Sequence, residues 1–224
     1  MIERLWAIGS RLWGGRAAPA ALKDVSFSYH DLSDACDSDG CPVCSVAEEQ
    51  ERRFVESLFY EKVNDPGVRR RLRDAGGICP RHLELLLRMG DLLGLTILVD
   101  DVLDHAAGHL AEGKAGRCFL CPVSRERQEN LTATLAAALA GQDFWKKLEV
   151  SPGLCLRHFQ MTYARVKSPL LRKQLLEWEL RKLRRQKEKA AAILARDWKN
   201  GTGVFRAQPG DRQVVERGWR LLRL

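Results

Sequence analysis

The sequence predicts an all-α protein made of two tandem duplicated helical units, each organised around a metal site, followed by a long C-terminal helix. Three observations support this fold class. Four short cysteine-containing turns repeat along the chain, apolar residues recur at one-face helical spacing, and no alternating strand pattern is present. With 224 residues, 45% of them apolar, the chain is long enough to bury a core.

The repeat consists of two pairs of turns. The first pair returns at offsets of 77 and 76 residues, and the turns within a pair are 35 and 34 residues apart. A gene duplication explains such regularity. The turns are Cys41-Pro-Val-Cys44 with Cys79-Pro-Arg-His82, and Cys118-Phe-Leu-Cys121 with Cys155-Leu-Arg-His158.

The repeat divides the chain into four parts. Residues 1–40 form an N-terminal extension with a short amphipathic helix, which carries Leu5, Trp6, Leu12 and Trp13. Residues 41–113 are the first metal-binding repeat, and residues 117–200 are the second repeat with the long helix. Residues 201–224 form a basic C-terminal tail.

Start and stop signals predict the helices in order. We expect a helix over about 44–63, a short basic helix from Asp65-Pro66 to Gly76-Gly77, a third from Pro80 and a fourth over about 92–110. After a linker at 113–116 the order repeats, with helices through 131–139, 144–148 and 156–166. Ser168-Pro169 then starts a helix of about 30 residues, with an apolar seam at Leu176, Leu180, Leu183, Lys187, Ala190 and Leu194.

Eight of the Cys and His residues are predicted to bind metal. Two side chains three positions apart at a helix start can face one ion, and the helix N-terminus favours thiolates. Four such ligands complete a tetrahedron with no vacant position, which is typical of structural zinc. The expected sets are Cys41, Cys44, Cys79 and His82 for one zinc ion, and Cys118, Cys121, Cys155 and His158 for a second.

Other uses of the cysteines remain open. An iron–sulfur cluster is the alternative cofactor, and a dithiol redox protein is the alternative function. The seventh cysteine, Cys36, is either a spare ligand or a free thiol. His105 and His109 suggest a further metal site, but a plain helix surface is favoured. We expect serine in place of Cys79 or Cys155 to unfold its own half.

Charge indicates the class of partner. The net charge of +8 favours anionic partners. Two basic clusters are the candidates for partner binding, although a solvated helix face is the more common outcome for such clusters. They consist of Arg69, Arg70 and Arg71, and of Arg181, Lys182, Arg184 and Arg185.

With the CPVC and CPRH turns and the run from Leu58 to Pro66 between them, the chain resembles an uncharacterised bacterial family known only as a domain of unknown function. The resemblance covers residues 41 to about 165. It implies architecture and a bacterial origin, and it implies no activity.

The sequence favours a non-catalytic zinc-binding protein that acts as an interaction module. No catalytic residues and no small-molecule substrate are evident. Another protein is the favoured partner, and nucleic acid is the alternative. Since the sequence has no apolar run long enough to span a membrane and no secretory signal, we expect a cytoplasmic protein, and peripheral membrane contact is disfavoured.

Overall fold

The computed structural model describes residues 22–114, 116–199 and 207–223, and within these ranges nearly all of the backbone is helical. The all-α prediction is confirmed. The ten α-helices of the described ranges are α1 Leu22–Ala35, α2 Pro42–Ser57, α3 Pro66–Ala75, α4 Pro80–Met89, α5 Leu92–Ala111, α6 Leu120–Ala138, α7 Gln142–Val150, α8 Leu156–Arg165, α9 Pro169–Lys199 and α10 Asp211–Leu221. A π-helical segment, Leu58–Lys62, extends α2.

The caps predicted from sequence set the helix boundaries of α3. The Asp65 carboxylate accepts a hydrogen bond from the Val68 N–H at 2.8 Å, and Pro66 occupies the first turn. The helix ends at Gly76, whose φ of 67° lies in the left-handed region. A Cβ at Gly76 would also approach the His109 ring to 2.6 Å, so the close packing of α5 requires glycine here.

Two short parallel strands join the halves, and the sequence did not predict them. β1, Gly76–Gly77, pairs with β2, Arg117–Cys118. A two-residue strand is too short to show an alternating pattern. The pairing lies directly before the turn that contains Cys79 and at the start of the turn that contains Cys118. It therefore brings a turn of the first copy beside a turn of the second.

The buried apolar residues form two clusters. The larger lies among α1, α2 and α6 to α9, and includes Leu32 and Trp178, both fully buried. The smaller lies among the end of α2, helices α3 to α5 and the start of α6. Both α2 and α6 contribute to both clusters, so these two helices connect the two parts of the core.

The chain ends contribute more to the core than the sequence indicates. Helix α1 falls in the N-terminal extension, where the sequence predicts a helix only around Leu5 to Trp13, yet α1 packs on α2, α6 and α7. At the other end, α10 packs along α9, and Leu221 is buried. The Leu5, Trp6, Leu12 and Trp13 stripe lies outside the described residues.

The buried face of α9 is displaced by one residue from the seam that we predicted. Leu175, Trp178, Glu179 and Lys182 are buried, whereas Leu176, Leu180 and Leu194 are 39–69% exposed. Trp178 enters the larger cluster and makes an edge contact with Trp145 at 6.4 Å between ring centroids. Trp178 is the largest of the fully buried side chains, and its burial goes with this face of the helix being turned toward the core, which heptad spacing alone does not encode.

None of the described helices is long and apolar enough to cross a membrane.

Candidate metal centres

The eight predicted ligands gather in two groups, but not in the groups that we expected. Within each group the sulfur and nitrogen atoms lie within 4.8 Å of one another. The expectation that each repeat closes its own site is wrong, because each group combines the cysteine pair of one copy with the Cys-x-x-His turn of the other. Site 1 is Cys41, Cys44, Cys155 and His158, and site 2 is Cys79, His82, Cys118 and Cys121.

Site 1 lies beside the larger core cluster. The Nδ1 atom of His158 is 3.5, 3.3 and 3.2 Å from the sulfurs of Cys41, Cys44 and Cys155. The Cys44 and Cys155 sulfurs are 3.7 Å apart. A disulfide requires about 2.05 Å, so these thiols are unbonded and surround one point.

Site 2 repeats this geometry beside the smaller cluster. The Nδ1 atom of His82 is 3.1 Å from the sulfurs of both Cys79 and Cys118, and 3.5 Å from that of Cys121. The Cys121 and Cys79 sulfurs are 3.8 Å apart. The two groups thus have the same donor set in the same arrangement, and each can hold a metal ion.

Helix starts position the ligands of both sites. Cys41, Cys79 and Cys155 are the N-cap residues of α2, α4 and α8, and none of them uses its side chain as a cap. The first N–H groups of a helix lack partners within the helix, and its dipole favours negative charge. The sequence therefore presents its thiols where a thiolate is most stable.

The pKa values of the thiols reflect this environment. Burial acts to raise the pKa of Cys118, but backbone N–H donors, including those of Cys121 and Leu120, bring it down to about 7. Burial raises the pKa of Cys121 to about 12, and hydrogen bonds to Cys118 and Cys79 act in the same direction. Cys118 and Cys121 therefore do not ionise together at neutral pH without metal, so metal binding at this site must displace a proton.

A buried carboxylate orients the histidine of site 2. The second ring nitrogen of His82, Nε2, lies 2.7 Å from Oε1 of Glu51, and the other oxygen of Glu51 accepts a hydrogen bond from Arg81 at 2.5 Å. The hydrogen bond to Glu51 raises the pKa of His82 to about 9. An acceptor on the outer nitrogen fixes the ring with Nδ1 toward the sulfurs.

Site 1 uses an amide in the same position. Nε2 of His158 lies 3.3 Å from Oε1 of Gln128, which is 8% exposed. Gln128 follows Glu51 by 77 residues, which is the repeat offset. These two acceptors were not identified from the sequence. Applying the offset to every polar residue of α2 would have indicated the pair.

Helices α2 and α6 link the two sites. Helix α2 starts with Cys41 and Cys44 of site 1 and carries Glu51, the partner of site 2, seven residues later. Helix α6 holds Cys121 of site 2 and, also seven residues later, Gln128 of site 1. The two helices also contact each other directly, because Arg127 of α6 donates to the backbone carbonyl of Gln50 on α2 at 2.5 Å. Seven residues correspond to about 10 Å along a helix, so each helix contacts both metal centres.

The remaining cysteine and the other two candidate histidines lie outside these sites. Cys36 is buried, donates to the Leu32 carbonyl at 3.3 Å, and its pKa is raised to about 11 by burial, so it is a free thiol rather than a spare ligand. The Nδ1–H group of His105 donates to the Asp101 carbonyl at 3.0 Å. Among the described residues, sites 1 and 2 are the two groups of Cys, His, Asp or Glu arranged to hold an ion.

The predicted partner-binding cations fall into two classes. Arg69 binds the Asp101 carboxylate at 2.7 Å, and Lys182 is 8% exposed and donates to the Glu149 carbonyl, so both serve internal contacts. Arg181 is exposed but lies 3.6 Å from the Glu149 carboxylate. The second class is exposed and takes part in none of these contacts, and it consists of Arg70, Arg71, Arg184 and Arg185.

Residues 30–116 match a family of unknown function (DUF6062). The resemblance to an uncharacterised family is confirmed, over the first copy and part of the helix before it. The chain is also 27% identical over 148 residues to the "Uncharacterized 23.9 kDa protein in xynA 3'region" of Caldicellulosiruptor sp. (strain Rt8B.4), covering 62% of this chain and 72% of that relative. No solved structure matches.

Proposed function

We propose that the protein is a non-catalytic scaffold in which two structural zinc ions hold the helices together and basic helix faces bind an acidic partner, most simply another protein. The observation that carries this proposal is the exchange of ligands between the copies. Each group joins two helix starts that are distant in the chain, and four protein donors fill all corners of a tetrahedron. An ion bound in this way has a structural role.

The distances support zinc as the ion. Zinc bonds of about 2.3 Å to sulfur and about 2.05 Å to nitrogen give tetrahedron edges of about 3.8 Å between sulfurs and about 3.6 Å between sulfur and nitrogen. The sulfurs here are 3.7 and 3.8 Å apart, and the sulfur to nitrogen distances are 3.1–3.5 Å. Three thiolates and an imidazole also match the ligand preference of zinc.

The alternative, an iron–sulfur or dithiol redox protein, fits these distances less well. A cluster distributes its ligands over several irons, so the ligand sulfurs would lie farther apart than around one ion. A dithiol redox site needs two sulfurs that can close to about 2.05 Å without disturbing their surroundings. Here a third sulfur and an imidazole stand at the same point, which favours a mononuclear site.

Metal analysis tests the zinc part of the proposal. We expect untagged protein to contain two equivalents of zinc, to be colourless after anaerobic purification, and to release the metal to a chelator with loss of helical circular dichroism. A brown protein that contains iron and acid-labile sulfide would favour the cluster instead. One equivalent of zinc would contradict the equivalence of the two sites.

The exposed arginines support the partner part. Arg70 and Arg71 lie on α3, and Arg184 and Arg185 lie on α9. We expect a polyglutamate peptide to bind, and charge reversal of these four arginines to weaken binding at least 10-fold, since each contact between charged groups contributes about 1 kcal/mol. Lys146→Glu, an exposed substitution on α7, is the matched control.

Salt titration distinguishes the two partner classes. A short mixed-sequence DNA duplex should bind more weakly than the acidic peptide if a protein is the partner. If instead the duplex binds more tightly, with an affinity that falls steeply and linearly on a logarithmic salt scale, the partner is nucleic acid. If neither probe responds to the charge reversals, the proposed role of the basic faces is wrong.

The acceptor behind His82 provides a test of site 2 alone. We expect Glu51→Ala to weaken zinc binding at site 2 by about 10- to 100-fold, because the imidazole loses the group that orients it. Glu51→Gln should have a smaller effect, since it reproduces the arrangement at site 1. Competition with a chromophoric chelator measures the zinc affinity of each variant. The control is Glu56→Ala, a substitution of an exposed residue of the same helix. Equal affinities in all three variants would contradict this role.

A further inference from the structure

Helix α5 carries an exposed apolar seam on the side opposite to its buried face. Gly94, Leu98 and Asp101 are its buried residues. On the other side, large apolar side chains are 51–82% exposed, a contiguous pattern that often marks an interaction surface. In order along the helix these are Leu92, Val99, Leu103 and Leu110.

The spacing of the seam is that of a coiled coil. When Thr96 and Ala106 are added to the four apolar residues, the six positions follow one another in steps of four, three, four, three and four residues. These are the alternating a and d positions of a heptad repeat. Thr96 fits an apolar seam because its hydroxyl already donates to the Leu92 carbonyl at 2.7 Å. The seam therefore extends over the full length of a 20-residue helix, about 30 Å.

The seam is also its own complement when reversed. In an antiparallel pair whose opposing residue numbers sum to 202, Leu92 faces Leu110, Thr96 faces Ala106 and Val99 faces Leu103. Every layer then matches an a position with a d position and contains apolar groups or a small, satisfied hydroxyl. A two-fold axis requires such self-complementarity, because the same patch must serve both partners.

From this symmetry we propose that α5 docks on α5 of a second copy of this chain, antiparallel, about a two-fold axis beside residue 101. Among the described elements none lies over the seam. One helix pair buries less than the roughly 800 Å² per partner of a standard stable interface. The dimer should therefore dissociate on dilution. Asp100, exposed next to the axis, faces its own copy and further weakens the contact.

Sedimentation of the full-length protein over a concentration series tests the proposal. We expect a monomer–dimer equilibrium. Leu103→Glu should raise its dissociation constant at least 100-fold, while the circular dichroism spectrum stays unchanged. Leu194→Glu is the matched control, since Leu194 on α9 is 69% exposed and Leu103 is 65% exposed. A wild-type protein that remains monomeric at every concentration, or a dimer insensitive to Leu103→Glu, would overturn the proposal.

The register has its own test. Leu92→Glu alone should dissociate the dimer, and adding Leu110→Lys in the same chain should restore it, because the antiparallel pairing places each glutamate opposite a lysine of the other copy. A parallel pair would place glutamate opposite glutamate and would not be restored. If residues 1–21 of a second copy cover the seam instead, their deletion abolishes the dimer and the double variant fails to restore it, which would also overturn the proposal.

Discussion

Cys155→Ser is expected to unfold the whole protein and not the second half alone. Site 1 joins the start of α2 to the start of α8, so its loss releases helices from both copies. Structural zinc sites have apparent binding free energies of about 10–16 kcal/mol. A domain has a free energy of unfolding of only about 5–15 kcal/mol. Losing the binding free energy of the metal should therefore leave the protein with no net stability. This replaces the expectation from sequence that each variant unfolds its own half.

Hydrogen exchange and thermal melting measure the effect. Exchange should increase in α2 and α3 as well as in α8, and the melting transition should lose its cooperativity. Cys36→Ser is the control, because it makes the same substitution at a buried thiol that is not part of either site. Protection retained throughout the first half of a zinc-depleted Cys155→Ser protein would contradict the exchange of ligands between the copies.

Asp101→Ala is expected to destabilise the protein by about 3 kcal/mol, the lower end for breaking a buried ion pair. The carboxylate lies between α3 and α5 and binds Arg69 at 2.7 Å and Arg73 at 3.1 Å. These guanidinium groups lower the pKa of Asp101 to about 2, so the carboxylate is ionised at neutral pH. The arginines are about a quarter exposed and can turn to water, which limits the loss.

Denaturant titration of the zinc-loaded protein gives the change in the free energy of unfolding. Asp104→Ala, an exposed acidic residue on the same helix, is the control and should change stability by less than about 0.5 kcal/mol. If both variants behave alike, Asp101 does not hold α3 to α5. Zinc content should remain at wild-type level in both, since neither residue contacts a site.

The helices were predictable because their signals are local. The Asp65 cap, Pro66 and Gly76 define α3 within a dozen residues, and Ser168-Pro169 does the same for the start of α9. The eight ligand residues could also be predicted, since two residues three positions apart at a helix start face one point. Helix α1, Leu22–Ala35, was missed because three serines and three aspartates stand among its apolar residues, and these residue types favour caps and turns over helix interiors.

The pairing of the turns could not be read from the sequence, because the two pairings differ little in the cost of closing their loops. The expected pairing closes loops of 35 and 34 residues, from Cys44 to Cys79 and from Cys121 to Cys155, whereas the observed one closes loops of 36 and 111 residues, from His82 to Cys118 and from Cys44 to Cys155. Loop-closure entropy adds only about 1 kcal/mol between about 35 and 111 residues, so it does not decide between the two pairings. Contacts that are distant in the chain decide between them, namely the β1–β2 pairing and the packing of α2 on α6.

The nested order of the two sites sets a sequence of events during synthesis on the ribosome. All four ligands of site 2 have been translated once residue 121 is added, so the inner site can capture its ion early. Cys41 and Cys44, although translated first, must wait for His158, 114 residues after Cys44. In the proposed zinc protein, the nascent chain would therefore carry this thiol pair without metal while 114 further residues are added, and over that interval the pair is open to oxidation or to a wrong metal.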